Sequence, residues 1–253
     1  MSKLMKYIAI SMLSVFVLIG CSSNDKEAQV GKKESATKEN FKYTNYLDNI
    51  DTDNVEVIKT SSFASIDISN VAELRDFHEN VFIGTVDSID GASASVDDVY
   101  AMAPHTYGNI SVLKNLKGNL DLGVVKFARY GGTISIADYE KGAPQEMITN
   151  DDLHRKAAGQ ENIDKENTYL TFMEEGDITL EAGKTYVFFG TVTDGGTFLI
   201  DGYEYGTREL SQPSTGKKAF RSMPAEDSLE IINNETGEYE NLNAFIDKYF
   251  TEQ

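Results

Sequence analysis

One cysteine in 253 residues, no tryptophan, four prolines and three histidines remove several classes of protein at the outset. A single thiol cannot close an internal disulfide, and a chain of this length has interior enough to fold without one. Zinc centres need His or Cys ligands at short spacings, and His78, His105 and His154 stand too far apart for that. Positive charge is scarce too: 23 Lys and Arg face 41 Asp and Glu, a net charge of -18. Phosphate backbones are repelled by such a surface, and no basic cluster in the body of the chain offsets it, so nucleic acid is excluded as a partner. Catalytic signatures are missing as well. There is no G-x-S-x-G, and neither Gly131-Gly132 nor Gly195-Gly196 is followed by the Lys or helix of a phosphate-cradling loop.

What is present begins with the first thirty residues. Lys3 and Lys6 precede an apolar run from Tyr7 to Ile19, interrupted mildly by Ser11 and Ser14 and too short to span a bilayer. The run ends in Leu18-Ile19-Gly20-Cys21, which resembles the lipobox of bacterial lipoproteins. That resemblance implies diacylglycerol on the Cys21 thiol, cleavage between Gly20 and Cys21, and further acyl chains that hold the mature protein on the outer face of the cytoplasmic membrane at the cell surface. No other cofactor and no metal is called for. The membrane partner is reached through lipid alone.

From Ser22 to Asn40 the only sizeable apolar residue is Val30, so residues 21–54 read as a disordered, lipid-anchored tether with an end-to-end distance of about 30 Å. Phe41 to Leu47, with three aromatics, is either a docking segment or the sticky end of that tether.

Residues 55–253 read as a single folded domain. Val55 to Ile58 suggests a strand, and Ser69 an N-cap for a short helix with Val71, Leu74 and Phe77 or His78 on one face. Val81–Val86 is a β-rich run whose Gly84 marks a bulge, a sharp coil or a close backbone approach, and Asp90-Gly91 is a turn signal. Tyr107–Lys117 and Val124–Tyr130 are the next strands, with Thr133–Ile136 as a continuation or a hairpin partner. Residues 141–168 read as an insertion with a short helix near 151–158. Tyr169–Phe172, Lys184–Val192 and Phe198–Ile200 are strands, the last two joined by a turn at Asp194-Gly195-Gly196. Leu242, Phe245, Ile246 and Tyr249 form the stripe of a C-terminal amphipathic helix over about 240–251. The expected fold class is mainly β with flanking helices: a small antiparallel OB-like barrel over about 74–202, with an inserted loop and helix and the C-terminal helix outside it.

The order Val81–Val86, then Val112 to Gly118, then Gly131-Gly132, then Gly183–Phe189 resembles the netrin-like module, also seen in tissue inhibitors of metalloproteinases and in bacterial surface lipoproteins. The resemblance covers Leu74 to Gly202 and implies a five-stranded OB-type barrel with flanking helices. The disulfides of the animal members are absent here. The inhibitors place a free N-terminal cysteine amine on a protease zinc, and a lipid-anchored Cys21 at the far end of a tether does not reproduce that chemistry.

Few residues offer reaction chemistry. His78 reads as a packing residue at a helix end and His154 as a surface residue of the insertion. Asp48, Asp51 and Asp53 have the rhythm of calcium ligands, yet the Gly and terminal Glu of an EF-hand loop are missing. Asp87, Asp90, Asp97 and Asp98 read as a solvated loop face. The recognition surface expected is aromatic, with Tyr130, Tyr203 and Tyr205 near turns where they can meet an envelope or host protein or a glycan. The leading expectation is a monomeric, non-catalytic cell-surface binding module. The alternatives are an envelope hydrolase using Asp151, Asp152, Glu161 and Glu166 of the insertion, and a transporter-associated solute-binding lipoprotein.

Overall fold

In the computed structural model, which describes residues 42–51, 55–61 and 64–251, two of the apolar runs become the centre of the fold. The chain runs through β1 (Thr44–Asn45), β2 (Val55–Thr60), α1 (Val71–Phe77), β3 (Asn80–Val96), β4 (Val99–Lys117), β5 (Val124–Tyr130) and β6 (Gly132–Ser135). It continues with α2 (Ile136–Gly142), α3 (Gln145–Ala157), β7 (Tyr169–Glu174), β8 (Thr185–Val192), β9 (Phe198–Ile200), β10 (Thr207–Ser211), β11 (Glu230–Ile232), β12 (Tyr239–Asn241) and α4 (Leu242–Tyr249).

Five of these strands close a ring. β3 pairs antiparallel with both β4 and β8, β4 with β5, and β8 with β9, while β5 and β9 meet in parallel through Phe127–Arg129 and Phe198–Ile200. The order β3-β4-β5-β9-β8 and back to β3 is that of an OB-type barrel, as the sequence suggests, with one parallel seam in an otherwise antiparallel ring. Beyond β8 the sheet continues outward through β10, β11 and β12.

The non-alternating runs of β3 and β8 have a physical cause. Phe82, Val86, Tyr186 and Phe188 point into the barrel, where they pack with Ile110, Phe127 and Phe198. Their neighbours Val81, Ile83, Val187 and Phe189 point outward into a second core closed by Leu74 of α1, Leu210, Ile231 and Leu242 and Phe245 of α4. Both faces of both strands are buried, so both faces must be apolar. Gly84 allows the close approach: a Cβ there would lie 2.6 Å from Cγ2 of Ile110 and 2.8 Å from the Phe82 ring, and the β3–β4 register shifts between Ile83 and Gly84.

α1 and the insertion helix α3 start at different residues from those the sequence marks. α1 is capped by the Asn70 side chain, which accepts from the backbone N–H of Ala72 and Glu73, while Ser69 bonds Asp67 one step earlier. The 141–168 insertion carries the end of α2 and all of α3, and it leads into β7, the middle strand of a separate sheet in which β2 and β6 flank it. Thr133–Ser135 is therefore a partner of β7 rather than a continuation of β5. This sheet and α2 bury a smaller core of Ile134, Ile136, Tyr139 and Leu170.

Residues 42–51 are docked on the barrel. Thr44 and Asn45 lie parallel to Ser88 and Ile89 of β3, and the Tyr46 hydroxyl donates to the Thr133 carbonyl at 2.7 Å and accepts from the Thr133 N–H at 3.1 Å. Arg221 stands over the Tyr43 ring at 4.9 Å. Of the two readings open for this aromatic stretch, the described residues take the docking one. Cys21 and the lipobox residues Leu18, Ile19 and Gly20 lie outside the described residues, as does Asp53.

Candidate functional site

β3 and β4 run far beyond the barrel. Their outer halves form a hairpin arm that turns at Asp97-Asp98, where both residues take left-handed backbone angles, φ 48° and 64°. A turn of this kind suits Asn-Gly, and here two aspartates occupy it. The first is held from outside the hairpin: the Asp97 carboxylate accepts from the hydroxyls of Thr193 and, at 2.7 Å, Thr197, on either side of the β8–β9 turn. Those two hydroxyls keep the Asp97 carboxyl below the usual carboxylate range, with Lys126 adding to the effect. The arm is thus bent back and latched.

Asp90-Gly91 is not a turn. Gly91 lies inside β3 opposite Tyr107 of β4, and a Cβ at Gly91 would sit 2.6 Å from the Tyr107 hydroxyl oxygen and 2.9 Å from its Cζ. The glycine lets the Tyr107 ring lie across the neighbouring strand while 42% of the residue stays exposed.

Between the arm, the β4–β5 surface and the β8–β9 turn lies a cleft of about 370 Å³. Its polar wall is built from Asp90, Asn109, Lys126 and Thr197, with Tyr107 and His105 beside them. Asn109 Nδ2 donates to Asp90 at 2.9 Å and to Ser88 at 3.0 Å, which fixes the direction of its amide. β4 is hydrogen-bonded on both sides from Thr106 to Ser111, so this floor has no unpaired backbone.

His105 connects the cleft to two of the three tyrosines expected as a recognition surface. Its ring meets Tyr130 edge-on at 5.8 Å, and Tyr130 meets Tyr203 at 5.5 Å. Tyr203 then lines a smaller cavity of about 180 Å³ with His78 and Asp201. Tyr205 is elsewhere, packed against the outer core beneath α4. Tyr107 and Asn109 carry no sequence motif; only the Gly91–Tyr107 strand pairing, a long-range fact, reveals them.

His78 is almost fully buried, its Nε2 3.9 Å from Asp201 without a hydrogen bond. Burial lowers the proton affinity of both His78 and His105; Asp201 opposes this at each, and Lys117 reinforces it at His78. In the unfolded chain both imidazoles take up protons near pH 6.5, which the folded state resists. Stability is therefore highest above that value and falls as the pH drops below it. Urea midpoints at pH 7.5 and 5.5 are expected to differ in that direction, and less so in His78→Gln; equal midpoints would contradict the assignment.

The insertion carboxylates do not gather. Asp152 pairs with Lys165 at 2.8 Å, which also holds Glu140, while Glu161 and Glu166 face solvent and Asp151 lines a different groove beside His154. Among the described residues no group of three or more His, Cys, Asp or Glu is arranged to hold a metal ion. The Ser93 and Ser95 hydroxyls contact each other at 3.3 Å, and His105 Nδ1 faces the Ala103 carbonyl at 3.1 Å. Comparison with family models, curated proteins and solved structures gives no match for the chain.

Proposed function

We propose that this chain is a membrane-anchored cell-surface lipoprotein whose barrel, of netrin-like type, is a non-catalytic binding module, and that the cleft beneath the hairpin arm is its binding face. The observation that carries the reading is the latch. An arm held by Asp97 against Thr193 and Thr197 keeps open a polar cleft over β4 and β5, between the β3–β4 and β8–β9 turns. On five-stranded barrels closed in this order, that is the surface on which ligands are held. The lipobox and the polar stretch after it support the anchoring half of the reading.

Each half has its own test. The absence of native tryptophan makes Tyr107→Trp a unique fluorescent reporter in the cleft. Its emission is expected to shift on adding at least one of three fractions: wall polymer, bacterial membrane or host-cell surface glycoprotein. A tryptophan at the exposed position Leu122 serves as the silent control. An unchanged reporter in all three fractions would remove the cleft from consideration. Cys21→Ser is expected to leave the protein unprocessed and without attached lipid, and normal membrane retention of a lipid-free form would refute the anchor.

A further inference from the structure

We infer that the cleft takes a neutral oligosaccharide, with one sugar ring stacked on Tyr107; this rests on the cleft being the binding face. Three observations converge on that chemistry. The first is the platform. Because Gly91 has no side chain, one side of the Tyr107 ring rests on β3 backbone, and the exposed remainder of the ring borders the cleft. A flat aromatic surface held in this way suits the apolar C–H face of a pyranose ring, which is large and rigid and needs no matching charge.

The second is the arrangement of polar groups around that platform. Asp90 offers a carboxylate acceptor and Asn109 its amide oxygen, both Nδ2 protons being taken by Ser88 and Asp90; Lys126 offers an exposed ammonium, and Thr197, whose proton goes to Asp97, a hydroxyl oxygen at the opposite rim. Acceptor oxygens from three side chains and the Lys126 ammonium as donor share one cleft, which suits sugar hydroxyls, each of which donates and accepts at once. The acidic excess of the whole chain disfavours a polyanionic sugar, and Lys126 in the lining disfavours a cationic one, which leaves a neutral ligand.

The third is size and edge. At about 370 Å³ the cleft lies in the lower part of the range of small-molecule sites, which is about 300–1,000 Å³, and is a concave slot rather than the broad patch of a folded protein partner. Its floor strand is paired on both sides, so a peptide cannot join it by strand addition. A short stretch of polysaccharide fits both limits.

The test is titration of the full chain with cellotetraose, maltotetraose, laminaritetraose and tetra-N-acetylchitotetraose, followed by Tyr107→Trp emission and by calorimetry on the native sequence. At least one of the four is expected to bind, with Tyr107→Phe retaining the affinity and Tyr107→Ala weakening it about tenfold. Silence across all four overturns the inference, as does equal binding by the Ala variant. The two readings separate in the envelope fractions. A Tyr107→Trp shift that survives periodate cleavage of vicinal diols but is lost on proteolysis keeps the binding face and discards the sugar. A reporter that answers neither fractions nor saccharides discards both.

Discussion

Arg129→Ala is expected to lower the unfolding free energy by about 3–5 kcal/mol, the range for breaking one side of a buried ion pair. Arg129 leaves β5 with only 7% of its side chain exposed and meets Asp177, itself 5% exposed, at 2.5 Å. The same guanidinium donates to the Ile178 carbonyl at 3.1 Å and to Thr207 of β10 at 3.3 Å. It thereby ties the ring to β10 and to the segment after β7. Truncation strands the Asp177 carboxylate in the interior with only the Ile178 N–H, at 2.8 Å, bonded to it. The cost is therefore mostly that of the abandoned charge, so Arg129→Met combined with Asp177→Leu should recover most of the loss. Urea denaturation followed by circular dichroism measures both. A loss below about 1 kcal/mol in the single variant would show that water reaches the pair.

The second large effect is expected at Phe82, which is fully buried in the barrel with its ring 4.8 Å from Phe198 and 5.5 Å from Phe188. Those rings come from β3, β9 and β8, so the cluster spans the seam where the barrel closes. Phe82→Ala should cost about 3–5 kcal/mol, because a tightly paired ring of strands cannot collapse into the space left behind. Phe82→Leu, which keeps most of the volume, should cost less than about 1.5 kcal/mol. Similar losses for the two would mean that ring geometry outweighs the cavity.

The barrel was legible because its signals are local. Val81–Val86 and Tyr186–Phe189 are unbroken runs of β-formers, Val124–Tyr130 is bounded by Gly123 and Gly131, and Asp194-Gly195-Gly196 does join β8 to β9. The stripe of α4 is equally plain, with Leu242 and Phe245 buried. The arm was not legible, for a definite reason. Asp90-Gly91 has the composition of a turn, but its glycine makes room for Tyr107 in the interior of strands of seventeen and nineteen residues. The real turn at Asp97-Asp98 has no glycine, and its hold on Thr193 and Thr197 spans about a hundred residues of chain. Tyr130 and Tyr203, expected at a recognition surface from their place near turns, do not line the cleft and sit next to one another behind His105. Their nearness to a cleft is a product of tertiary pairing that no local window contains.

The docking of Thr44 and Asn45 on β3 has a mechanical meaning. They join β3 at Ser88 and Ile89, midway along the seventeen-residue strand, with the barrel half on one side and the arm half on the other. Tension arriving along the preceding chain enters the fold at that midpoint, next to the Ser88 hydroxyl to which Asn109 donates. Were the N-terminus anchored as proposed, a pull on it would reach the boundary between barrel and arm first, ahead of the β10–β12 extension and α4.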